Sequence, residues 1–215
     1  MQHQEIALRK SVMQLLTRAE KLCQSWDVYQ SKTLNLLHTV HNLDQQRALT
    51  LDNATDKLQH TLLIDEPHFL FKQTCRYESA LKQLDVFFKS TWQALMDDWE
   101  KLEHEANHTF IKFNASCPPT SKPVPLSSQA LIQVASVSPS QAQQWIQTLK
   151  SHYASQFHTK RMLLLDLTAS EHPMPLDTLL TQWSHQSYLH HLSLPTLLSE
   201  RILLYKQIKA AIEAA

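Results

Sequence analysis

The chain has 215 residues, no glycine, and 20 lysines and arginines set against 20 aspartates and glutamates. Glycine is usually about 7% of a chain, and without it neither a Rossmann nor a P-loop phosphate cradle can be built; any nucleotide chemistry belongs to a partner, and no cofactor is expected. Balanced charge with no basic run longer than two residues leaves no footprint for nucleic acid, and no window approaches the roughly 18 apolar residues of a membrane span.

The first element is set by heptads. Val12, Ala19, Trp26, Thr33 and Val40 fall seven apart, and Leu15, Leu22, Tyr29, Leu36 and Leu43 each follow by three. This predicts a long helix over residues 5–46 with a coiled-coil-like seam. Leu16, Cys23 and Leu37 lie beside that seam and widen it, which suits a bundle with more than one neighbour. A shorter helix is expected over Leu51–Leu63, ending at Asp65-Glu66-Pro67.

From His68 to Asn114 a second pattern follows, with Tyr77, Leu81, Leu84, Phe88, Leu95, Trp99, Leu102, Ala106, Phe110 and Phe113 on one face. Its mixed steps of three and four approximate an ordinary 3.6-residue period. Two helices of this length predict an antiparallel hairpin about 60 Å long. Residues 115–137 then read as a linker. Pro118, Pro119, Pro123 and Pro125 remove donors and block helix there, and Leu131–Val137 is β-branched enough for an extended segment.

Ser138 is a suitable N-cap and Pro139 fits the first helical position, so a third long helix is predicted over 138–167. Ala142, Trp145, Ile146, Leu149, Tyr153, Phe157, Leu164 and Leu165 form its stripe. Lys160 and Arg161 interrupt that stripe and read as snorkelling cations. Leu176–Ser184 makes a short helix after Pro173 and Pro175. Pro195 opens a last helix to Ile212, with Leu198, Ile202, Tyr205, Ile208 and Ile212 on its apolar face. The organisation expected is all-α: a helical hairpin over 1–114, a linker over 115–137, and a smaller helical segment over 138–215.

Catalytic and metal patterns are weak. His104-Glu105-Ala106-Asn107-His108 matches the zincin signature, in which two histidines on one helix face bind zinc beside a glutamate base. At 100° per residue, however, His104 and His108 fall away from the stripe of Leu102, Ala106 and Phe113, so they should face solvent and not an enclosed site. His185, His190 and His191 read as polar loop residues, and Asp97 and Asp98 as a solvated patch. Cys23 reads as a small core residue. The three cysteines, odd in number and without a C-x-x-C pair, fit reduced thiols, and residues 1–10 show no secretory signal. No enzyme and no metal site is expected.

Val137-Ser138-Pro139-Ser140, then Trp145 and Leu149, then His152-Tyr153, then Lys160-Arg161 before Leu163-Leu164, resembles the AIRIM family of ribosome maturation factors. The match covers about 30 residues, and its specificity lies in order and spacing. Ala154-Ser155-Gln156 is less basic than the family's pattern. Leu179 to Tyr188 (Leu-Leu-Thr-Gln-Trp-Ser-His-Gln-Ser-Tyr) resembles instead the C-terminal part of CINP, the cyclin-dependent-kinase-interacting protein, which is the partner subunit in the same assembly. The resemblance implies a non-catalytic adaptor of a hexameric AAA+ ATPase that strips a shuttling factor from late large-subunit ribosomal precursors in the cytoplasm and also serves protein turnover on chromatin, present in cytoplasm and nucleus. The five-heptad seam leaves a structural coiled-coil tether, which would self-associate, as the alternative. It implies two partners: the AAA+ ATPase hexamer and a second small helical subunit, bound as a heterodimer. Neither nucleic acid nor membrane is implied. Trp145, Leu149, Tyr153, Phe157, Lys160, Arg161, Trp183 and Tyr188 are the residues expected at the partner contact, on resemblance and on aromatic density.

Overall fold

The computed structural model describes residues 2–53, 66–116, 137–169, 174–189 and 191–214. Every regular element among them is helical, so the fold is all-α. Helix α1 spans Gln2–Asn53 and α2 spans Glu66–Phe87. A π-helical turn, Phe88–Trp92, leads directly into α3, Gln93–Ser116. Three further helices follow: α4, Pro139–Ala169; α5, Leu176–Ser184; and α6, Leu194–Ala214. No helix among the described residues is long and apolar enough to cross a membrane. Most of the short helix expected over Leu51–Leu63, and nearly all of the linker with its extended segment, lie outside the described residues.

The chain divides into two compact units, each drawing on several helices. The stretch 1–114 contributes to both, as does 138–215. One unit holds α1 up to Trp26, α3 from Ala94, α4 up to Gln156, and the chain from Ser187 through α6. Its interior is made by Val12, Leu16, Ala19 and Trp26 of α1, Leu95, Trp99 and Leu102 of α3, Ile146, Leu149 and Tyr153 of α4, and Leu198 and Ile202 of α6. Helices α3 and α4 run antiparallel here. Gln143 donates to Asn107 at 2.8 Å, and one helical stretch further on Lys150 reaches Glu103 at 2.8 Å.

The second unit holds α1 from Asp27, α2 with the π-helical turn, α4 from Phe157, and α5. Its α1 and α2 segments are also antiparallel: Tyr29 meets Phe87, Arg47 lies over Tyr77, and Thr50 donates to Gln73 at 3.4 Å. Leu37, Val40, Leu84, Phe88, Trp92, Leu163, Leu179 and Trp183 fill the interior.

Two details of the helices differ from the sequence pattern. Along α1, Val12, Ala19, Trp26, Thr33 and Val40 are all buried, but of the following set only Leu15 is. The positions one further on, Leu16, Cys23, Gln30 and Leu37, are buried in their place. The stripe is therefore rotated away from a two-stranded seam, because α1 has neighbours on two sides. In the second arm, Ala80, Leu84, Phe88 and Trp92 are buried at successive steps of four. On a regular helix each such step drifts by about 40°. The wider π turn absorbs that drift and keeps Phe88 and Trp92 on the core side, a correction to the ordinary 3.6-residue period expected there.

Candidate functional site

Helix α4 begins as its sequence dictates. The Ser138 hydroxyl accepts from the Gln141 N–H at 3.2 Å and the Ser138 carbonyl from the Ala142 N–H at 2.9 Å, satisfying donors that a helix start otherwise leaves bare. From there the helix sends its large side chains inward. Tyr153 stacks on Trp99 with ring centroids 5.3 Å apart and packs against Trp26 at 4.9 Å, leaving it 3% exposed. Leu149 is fully buried beside it. Trp145 is half-buried. The turn after α5 is tied down in the same unit: the Tyr188 N–H donates to Gln156 Oε1 at 3.3 Å, and His152 Nδ1 meets the Tyr188 carbonyl at 2.9 Å. The Tyr188 ring is left 46% exposed.

In the second unit, Phe157, Lys160 and Trp183 converge on Phe88. Phe157 stacks flat on it at 5.0 Å and 4°, and Trp183 meets it edge-on at 5.9 Å. Such aromatic pairs add about 0.5–1.5 kcal/mol each beyond area burial. Lys160 does not snorkel, contrary to the expectation from periodicity. Its side chain is 0% exposed, its Nζ donates to the Trp183 carbonyl at 2.7 Å, and the same Nζ lies 4.9 Å from the centre of the Trp183 ring. The reason is local. The last carbonyls of a helix lack intrahelical partners and carry the negative end of its dipole. Trp183 sits one residue before the end of α5, so its buried carbonyl gives the ammonium an acceptor inside the protein.

Gln30 completes the arrangement. Its Nε2 donates to the same carbonyl at 3.1 Å, and Thr33 accepts from Trp183 Nε1 at 3.2 Å. Among the described residues Gln30 Oε1 has no hydrogen-bond partner. Among the described residues the partners of Lys160 are uncharged, and burial lowers its pKa from 10.5 to about 7. The cluster can hold or release one proton near neutral pH. Lys160 itself is closed off from solvent, and its ammonium is tied to the end of α5.

Of the residues expected at the partner contact, Leu149, Tyr153, Lys160 and Trp183 are therefore interior. Arg161 and Tyr188 are exposed, while Trp145 and Phe157 are half-buried. Arg161, Phe157 and Leu165 line a small groove of about 210 Å³ together with Asp85 and Lys89. His104 and His108 are exposed, and Glu105 between them is paired with Arg18. Among the described residues no three histidines, cysteines or carboxylates gather as a metal site would require. His190 lies outside the described residues. Cys23 is buried, and Asp98 pairs with Lys101 at 3.0 Å.

Sequence reasoning passed over Gln30, which sits between Cys23 and Leu37 on the widened α1 stripe, and it counted Thr33 on the heptad stripe without giving its hydroxyl a task. A polar residue at a predicted core position was the available signal, and both turn out to bond Trp183. No family model matches the chain, and no curated protein matches it.

Proposed function

We propose that this chain is a non-catalytic adaptor subunit of a hexameric AAA+ ATPase acting in cytoplasmic maturation of the large ribosomal subunit, where the assembly releases a shuttling factor, and in protein turnover on chromatin. The observation that carries the reading is the order and spacing of Val137-Ser138-Pro139-Ser140, Trp145, Leu149, His152-Tyr153 and Lys160-Arg161. Several positions in that run have a physical task that supports a scaffold role. Ser138 caps the helix, Leu149 and Tyr153 anchor one core, and Lys160 reaches the last turn of α5 in the other. A motif made chiefly of a cap and core residues positions a helix, which suits a non-catalytic subunit.

The contact with a second small helical subunit then falls to what remains outside: Arg161, Tyr188 and the open sides of Trp145 and Phe157. Leu203 and Leu204 of α6 are also exposed and add apolar surface. A CINP-like place in the same assembly is favoured by one observation, the Leu179–Tyr188 run, whose Trp183 is the centre of the second unit. The test is depletion of the chain in cells, followed by quantification of shuttling factor on cytoplasmic large-subunit precursors. Retention of the factor is expected, and an unchanged amount would refute the assignment.

A further inference from the structure

The chain is neutral overall, yet its charges are not evenly spread. A groove of about 560 Å³ lies between α1 and α6 within the first unit, a volume typical of ligand-sized sites. Lys10, Arg18, Lys206 and Lys209 line it, against one carboxylate, Glu105. That carboxylate is engaged by Arg18, and Lys209 has Glu213 at 3.5 Å. Among the described residues no acidic group pairs with Lys10 or Lys206, and both are exposed. The floor is apolar, formed by Met13, Leu15 and Ile202.

We propose that this groove binds an acidic peptide segment of a partner protein, one that alternates carboxylates with apolar side chains. The cations would take the carboxylates while the apolar side chains cover the floor and the methylene stems of the lysines. A nucleic acid fits less well. It wants a continuous phosphate track with stacking surfaces, whereas this groove is short, apolar at its base and carries a carboxylate. The inference is independent of the AAA+ assignment, since any acidic partner segment would satisfy it.

The test uses the full chain and a fluorescein-labelled peptide of five Glu-Glu-Leu repeats, followed by fluorescence anisotropy at low and moderate salt. Saturable binding that weakens with salt is expected. It should fall about tenfold in the Lys10→Glu, Lys206→Glu double variant, and less in Lys10→Gln, Lys206→Gln, with melting curves unchanged. Lys72→Glu with Lys112→Glu, the same charge change on exposed positions elsewhere, should leave binding intact. A peptide of Gln-Gln-Leu repeats should bind at least about tenfold more weakly than the acidic one. The proposal is overturned if the glutamine peptide binds equally, if the control variant loses as much, or if a twenty-nucleotide uridine RNA binds tighter with the same dependence on Lys10 and Lys206.

Discussion

Replacing Lys160 with methionine should stabilise the protein, although it removes a hydrogen bond. The ammonium is fully buried and its partners are the Trp183 carbonyl and ring, neither of which carries a charge. The unfolded chain holds the lysine proton up to 10.5, and the folded chain only up to about 7. Between those values the unfolded state binds more protons, so stability rises with pH across that window. The cost is present in full below about 7 and is relieved as the pH climbs towards 10.5. At 1.36 kcal/mol for each tenfold change, the gross cost is about 5 kcal/mol. Methionine fills a similar volume, and Gln30 still donates to the Trp183 carbonyl, so only about 1 kcal/mol of hydrogen bonding is lost. The net gain should be about 1–3 kcal/mol at pH 6.5, as when other buried charges are replaced by apolar groups. The assay is urea denaturation of both proteins, followed by far-UV circular dichroism and tryptophan fluorescence, with coincident transitions as the check on two-state behaviour. The advantage of methionine should shrink by about 2–3 kcal/mol between pH 6.5 and pH 9.5, and taking the difference removes groups common to both. A methionine variant less stable than the parent at pH 6.5, or an advantage that does not change with pH, would refute this account of Lys160.

Tyr153→Ala should cost about 3–5 kcal/mol of stability, read from the denaturation midpoint, because it empties the space between Trp26 and Trp99. Trp145→Ala, at a half-exposed position, should instead spare folding and weaken copurification of the partner subunit by about 2 kcal/mol. Loss of the Ser138 cap in Ser138→Ala should lower stability by about 1 kcal/mol, and Ser138→Asn should restore it. His104→Ala with His108→Ala should change stability by no more than about 0.5 kcal/mol, and metal analysis of the parent protein checks the zincin reading directly.

Much of the helical framework was legible because period and punctuation agree. Ser138-Pro139 marks the start of α4, Pro175 precedes α5, and the apolar face of α6 begins at Leu198 as its spacing requires. The burial of Lys160 was not legible, since its acceptor is a carbonyl some twenty residues away whose position depends on how α5 packs. Periodicity reports which face a residue lies on, but not whether that face meets a charge-bearing helix end. The π-helical turn was hidden for a related reason. Phe88 and Trp92 satisfy an ordinary helical spacing, and only the third consecutive step of four makes the wider turn worthwhile. Likewise, the cationic groove draws Lys10 and Lys206 from opposite ends of the chain, where neither shows a basic run. Aromatic density marked α4 and α5 as important, and it did so for packing: Tyr153 and Trp183 are core.

The adaptor assignment is tested most directly by purifying the tagged chain at native expression and identifying what accompanies it by quantitative mass spectrometry. The account predicts a hexameric AAA+ ATPase and one small helical subunit, the latter in equal amount with the chain. Recovery of the chain alone, or only with further copies of itself, would contradict it.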